Sequence, residues 1–429
     1  MRRRRRERRW MIFAGVFGLG LIVGLYLILG SSTGRVIAET DALDPAWRLA
    51  DITAARANVP DAENSALVIE AGNKLVELSS SKHADEFTQI LSALAGSPAE
   101  RLDEATAAKL KSALSRYQKA FPEFRKVATM PNGRELRAHT DKDTGEIEFH
   151  QILGEVVRAN CLDAYERIDA GDAEGAIGRL FTCWNASHSV GDDGSTPAIM
   201  TRIECDAVTM AGIERLLAQT ELSETQCAKL QEALVVEANQ PLVDRWLRTQ
   251  RAITFEEYEK ARANQHFWSG NSQQSQVLRL FNRLIAIVHT PSATWPTQID
   301  AWKSEALTQS GANGPASLVT SLSEFRNHDA RIHSMIGALA AERHRLQHGR
   351  WPVTVKELVE AKLLTQTPVD PFDGQPLRWK RYSDCRILYS VGPNGLDDGG
   401  AINHKPSDKG ADIGWHLYDP KQRRQLPPG

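Results

Sequence analysis

The sequence predicts a mainly α-helical protein with an N-terminal transmembrane helix. Antiparallel helical hairpins, as a bundle or α-solenoid, follow, and a small C-terminal α+β module with a β-hairpin closes the chain. Three observations carry this. One long apolar run stands behind a basic start. Helix starts and stops, joined by short turns, punctuate most of the chain. After Gly349 the grammar changes to tight turns and two short strand-like runs.

The apolar run is MIFAGVFGLGLIVGLYLIL, Met11 to Leu29. With Gly30 it has the length, roughly 20 residues, that a helix needs to cross a hydrocarbon core. Before it stand Arg2, Arg3, Arg4, Arg5, Arg6, Arg8 and Arg9. Arginine favours the cytoplasmic side, so the amino terminus is expected inside and the bulk of the chain extracytoplasmic. The rival reading is a cleaved signal peptide with Val36-Ile37-Ala38 as its site. The length of the run and the arginine cluster favour a retained single-pass anchor. The expected organisation is a cytoplasmic basic segment at 1–10, a transmembrane helix at 11–30, a helical extracytoplasmic domain at 39–310, and a long helix plus α+β module at 316–429.

The 429 residues carry a net charge of −2; the first nine contribute +6, which leaves −8 on the remainder. A mildly acidic ectodomain lacks the basic footprint of a nucleic-acid binder. Topology and anionic lipid account for the arginines. The expected partners are the membrane and an envelope protein.

Along the chain, Asp44-Pro45 reads as N-cap and first-turn proline for a helix through Asn58. Asp61 opens a helix to about Ser79, and Ala84 to Ala95 forms another. Ser97-Pro98-Ala99-Glu100 reads as a capping box for a helix towards Phe121. Pro131-Asn132-Gly133 and Asp143-Thr144-Gly145 are turns. The segment from Asp141 has a faint likeness to a calcium loop, but Ile152 sits where the bidentate glutamate belongs. Helices are then expected at His150 to Ala170, Ala173 to Val190, Thr196 to Gln219, Ser223 (a second capping box) to Asn239, and Pro241 to Ala263. Short turns between helices of this length favour antiparallel packing. Phe267 and Trp268 lie in a polar loop. Further helices are expected at Val277 to His289, Thr297 to Gln309 and Asp329 to Gln347, with a linker at Gly311 to Pro315.

The first four of five cysteines, Cys161, Cys183, Cys205 and Cys227, are 22 residues apart, which is not zinc-knuckle spacing. In an oxidising compartment disulfides become available. Cys161 and Cys183 are symmetric about one predicted turn, Cys183 and Cys205 about the next, so these three are the disulfide candidates; buried free thiols are the other reading.

His344 and His348 share a helix face, but a zincin needs glutamate where Arg345 stands. Ser187-His188-Ser189 lies near Asp192 and Asp193, yet there is no G-x-S-x-G elbow and no P-loop. No catalytic residues are assigned.

Past Gly349, Thr354 caps a short helix, Asp370-Pro371-Phe372-Asp373-Gly374 is a tight turn, and Leu377 to Tyr382 and Arg386 to Val391 read as a hairpin. The run H-G-R-W-P, then D-P-F-D-G-x-P-L-R-W, then Y-S-V-G-P-N-G-x-D-D-G resembles the globular part of type II secretion major pseudopilins. That resemblance covers about Asp329 to Trp415. It implies a helix followed by a small sheet and a calcium-binding loop, with Asp397, Asp398 and Asp412 as the calcium positions and calcium as the implied cofactor. The anchor lacks a pseudopilin's leader, processing glycine and membrane glutamate, so it reads as a tether and not as a filament-forming helix. The whole chain also resembles uncharacterised membrane-anchored envelope proteins of planctomycete-type bacteria, which implies an envelope location and supplies no active site. The expectation is therefore a non-catalytic single-pass envelope protein, a protein-interaction or structural scaffold. An accessory component of a type II secretion or pilus-like system, and a metal-dependent extracytoplasmic enzyme, are the alternatives.

Overall fold

The structure, a computed structural model, describes residues 33–76, 90, 96–135, 145–264, 270–310, 318–402 and 412–426. The chain forms two compact units. Of the described residues, the smaller unit comprises those up to Ala55 with those of Leu247–Thr290 and Pro296–Val319; the larger comprises those of Arg56–Trp246, Pro291–Trp295 and from Thr320 on.

The smaller unit is helical. Its core gathers Val36, Trp47, Phe255 and Leu278, with the Trp47 and Phe255 rings edge to face at 4.7 Å. Asp44 does not cap a helix as expected. The helix over 33–43 ends before it, and the next is Leu49–Ala55. The Asp44 carboxylate instead accepts from Arg248 at 2.7 Å and from Arg251. Two guanidiniums outcompete one local amide for the carboxylate.

The larger unit is built on four consecutive helices: α1 (Gly145–Ala170), α2 (Ala173–Ser187), α3 (Thr196–Gln219) and α4 (Glu224–Ala238). Their boundaries follow the local chemistry. Gly171 takes φ +81° at the first turn, and Asp172 caps α2 by accepting from Gly175 N at 2.9 Å. Ser195 caps α3, and Ser223 with Gln226 forms both halves of a capping box on α4. Side chains that satisfy the orphan amides of a first turn set where a helix begins. At Gly212 on α3 a Cβ would lie 2.5 Å from Leu180 and 3.3 Å from the Cys161 sulfur, so glycine is what lets these helices approach.

A long helix, α5 (Val319–His348), stops at Gly349 with φ +70°. It starts well before the expected Asp329. Three strands follow, β1 (Arg378–Arg381), β2 (Cys385–Ser390) and β3 (Ile413–Tyr418), paired antiparallel in the order β1-β2-β3. Trp379 and Trp415 flank Leu388 across the sheet. The hairpin is the expected one. The third strand is not expected from the sequence, which places Asp412 in a calcium-binding loop. Every residue of β2 is buried. Leu388 packs over Gly337 of α5, and Trp415 Nε1 donates to Arg331 O at 2.8 Å. One hydrophobic core takes in Val156, Leu180, Leu230, Met335, Leu388 and Trp415, so the four helices, α5 and the sheet close on each other.

Two other expected helix starts move. Ser97 does not open a helix; the helix is Glu104–Ser115, capped by Asp103. Residues 99–101 bond the tail instead, with Arg101 N donating to Gln425 O at 2.9 Å and Gln425 N to Ala99 O at 2.8 Å. Asp61 begins only a short 3-10 turn, and Asn64 caps the helix Ser65–Asn73. Thr354 precedes the helix Val355–Glu360 without a side-chain cap bond.

The expected transmembrane segment, most of the Ala84 to Ala95 helix, Asp141, Phe267, Trp268 and the Gly311 to Pro315 linker lie outside the described residues. Among the described residues no helix is long and apolar enough to cross a membrane.

Candidate functional site

A cavity of about 730 Å³ opens in the larger unit. Phe181 and Trp184 of α2 and Ala233 and Val236 of α4 give it an apolar wall; His188, Arg202, Lys229 and Arg245 give it a basic one. Lys229 Nζ sits 4.6 Å from the Phe181 ring centre, and His188 lies edge to face with Trp184 at 5.6 Å. Burial, followed by the Arg202 charge, lowers the pKa of both His188 and Arg245.

Glu237 ties this wall together. Arg202 Nε donates to Glu237 Oε1 at 2.9 Å and its Nη2 donates to Oε2. His188 Nε2 lies 3.1 Å from Oε2. Burial opposes ionisation of Glu237, but the hydrogen bond from His188 and the Arg202 guanidinium outweigh it and hold the carboxyl well below the usual range.

Three helices bring further groups here. Asp206 of α3, Glu237 of α4 and His328 of α5 are buried, and each offers an atom within 4.8 Å of the others. Asp206 Oδ1 accepts from Ser187 Oγ at 2.6 Å. Asp206 Oδ2 has no hydrogen-bond partner and lies 3.8 Å from His328 Nε2. Neither ring nitrogen of His328 has a partner among the described residues. Burial pushes Asp206 well up, helped by the Glu237 charge, and pushes His328 down to about 4.

Ser187 and His188 stand out in the sequence as neighbours, whereas Asp206, Glu237 and His328 do not. A signal existed. Asp206 falls on the buried stripe of α3 that includes Ile203, Met210 and Ile213. An acid on an apolar helix face is the informative exception.

The acidic-loop residues have other surroundings. Asp412 accepts from Asp398 N at 3.3 Å and Gly400 N at 2.6 Å, and burial raises its pKa. Asp397 Oδ1 accepts from Tyr389 OH at 3.0 Å and Gly399 N at 2.9 Å. Asp398 Oδ2 accepts from Asn394 Nδ2 at 2.9 Å. Asp412 thus organises the main chain of the loop, and residues 403–411 lie outside the described residues. Among the described residues the one group of three converging ligand atoms is Asp206, Glu237 and His328.

Cys161, Cys183 and Cys205, the disulfide candidates, carry free buried thiols. Cys161 Sγ donates to Val208 O at 3.6 Å and Cys183 Sγ to Val157 O at 3.3 Å. The His344 and His348 rings stack at 4.2 Å. Each Nδ1 meets a main-chain oxygen, of Arg350 at 3.2 Å and of His344 at 3.0 Å, so this pair finishes the helix. Ser189 Oγ bonds Ser65 Oγ at 2.7 Å, and Ser187 faces Asp206, so neither serine is paired to His188 as a nucleophile would be.

The fold defines a mainly helical protein with a small three-stranded antiparallel sheet at its carboxyl end. No protein-family model, no curated protein and no solved structure matches the chain.

Proposed function

We propose that the chain is a non-catalytic, single-pass envelope protein that holds a folded extracytoplasmic head as a protein-interaction or structural scaffold. The observation that supports this is the shared core: α5 and the sheet pack into the same apolar cluster as α1 to α4. A pilin-like helix and sheet enclosed this way are a fixed part of one head. The arginine cluster and the apolar run without an acidic residue supply the tether.

Membrane fractionation tests it. Full-length protein should sediment with membranes, resist salt extraction and be released by detergent. Recovery in a soluble periplasmic fraction would remove the tether, and a hydrolytic activity abolished by one point substitution would remove the scaffold.

A second reading, an accessory component of a type II secretion or pilus-like system, draws on the long helix laid against an antiparallel sheet and on the Asp397, Asp398 and Asp412 loop, for which calcium is the cation. Crosslinked pull-downs from membranes decide it: failure to recover any secretion-system component ends that reading.

A further inference from the structure

We propose that Asp206, Glu237 and His328 form a binding site for a divalent transition-metal ion of the zinc class, set behind the basic wall of the cavity. The proposal is independent of the scaffold reading.

Two observations point to an ion. The first is convergence: three buried ligand-type residues from three different helices offer atoms within 4.8 Å of one another. The second is the state of those atoms. His328 is 6 % exposed and Asp206 fully buried, yet Asp206 Oδ2 and both nitrogens of His328 lack a hydrogen bond. A buried polar group left without a partner is costly, and a ligand that satisfies it removes that cost. At 3.8 Å, the Asp206 Oδ2 to His328 Nε2 separation is too long for a hydrogen bond. It suits two ligands of one ion: at metal–ligand distances of about 2.1 Å, a tetrahedral angle places two ligands roughly 3.4 Å apart, and a wider angle places them further.

Charge argues the same way. Of the two carboxylates, Glu237 is the one bound by the Arg202 guanidinium, while Asp206 has no guanidinium hydrogen-bonded to it among the described residues. A divalent cation would compensate the remaining carboxylate. A carboxylate has about four lone-pair positions, so Glu237 can hold Arg202 and His188 and still offer a lone pair to a metal, with Arg202 orienting it from outside. One imidazole and two carboxylates suit zinc and its first-row neighbours, whereas calcium takes six to eight oxygens. His188 lines the cavity and lies 3.1 Å from Glu237 Oε2, which connects the site to solvent.

The test uses full-length protein in detergent, stripped with chelator and titrated with zinc in excess calcium so that the acidic loop is saturated. One zinc per chain should bind and raise the melting temperature, because an ion that binds only the folded state stabilises it. His328→Gln and Asp206→Asn should each weaken zinc binding at least about tenfold, and His348→Gln should leave it unchanged. Cobalt-loaded wild type, which needs no variant to fold, should show the spectrum of a nitrogen- and oxygen-ligated site without thiolate charge transfer. Absence of stoichiometric zinc binding, a thiolate band, indifference to both ligand substitutions, or loss of binding in His348→Gln would each overturn the proposal.

Discussion

Arg423 Nη2 lies 2.9 Å from both carboxylate oxygens of Glu342, joining the tail after β3 to the C-terminal part of α5. Glu342 is fully buried, and Arg345 also donates to it, at 2.8 Å. Arg423 Nη1 donates to Thr220 O at 2.9 Å, at the end of α3. One side chain therefore gathers the tail, the long helix and the hairpin layer.

Removing Glu342 leaves the buried Arg423 guanidinium without a carboxylate, whereas Arg345 keeps Glu221; removing Glu342 and Arg423 together replaces polar contacts by packing. Glu342→Leu should destabilise the larger unit by about 3 kcal/mol. The double variant Arg423→Met with Glu342→Leu should recover most of that loss. Denaturant unfolding of the three proteins checks it.

Two glycines should respond in opposite directions. At Gly337 a Cβ would run into Leu388 of the central strand. Gly337→Ala should therefore cost about 1–3 kcal/mol through overpacking. At Gly178, inside α2, nothing lies within 4 Å. Gly178→Ala should gain up to about 1 kcal/mol from helix propensity. Thermal melts of both variants read the sign.

Glu155 on α1 is 6 % exposed, and its Oε2 has no hydrogen-bond partner. Burial pushes its pKa up to about 7, against the pull of Arg158 and Arg116. The folded state thus keeps a proton that the unfolded chain releases near pH 4.5. The contribution to stability is complete below that pH and is lost as pH rises towards 7. Relative to Glu155→Gln, the wild-type melting temperature should fall progressively between pH 5 and pH 8, the window that this pKa interval sets. A constant difference across that range would remove Glu155 as the cause.

All five cysteines are buried, and burial pushes Cys161, Cys227 and Cys385 up to about 12. Thiolate, the reactive form, is then scarce. Native protein should resist iodoacetamide, and unfolding without reductant should expose five alkylatable thiols. Mass spectrometry counts them, and three labels in place of five would mean one disulfide.

Sequence by itself determined the elements whose signals are local. The start of α2 at Asp172, the capping box at Ser223, the stop of α5 at Gly349 and the β1–β2 hairpin each rest on a side chain or glycine acting within a few residues. What tertiary structure decided is where distant partners compete. Asp44 went to Arg248 and Arg251, and the Ser97 segment went to Gln425. Strand β3 exists because β2 offers a free edge to residues far along the chain from it. The Asp206, Glu237 and His328 cluster joins residues from three helices, 31 and 91 positions apart along the chain, and no spacing rule within one helix reaches that far. Helix periodicity reports which face is buried; only packing decides which buried polar groups meet.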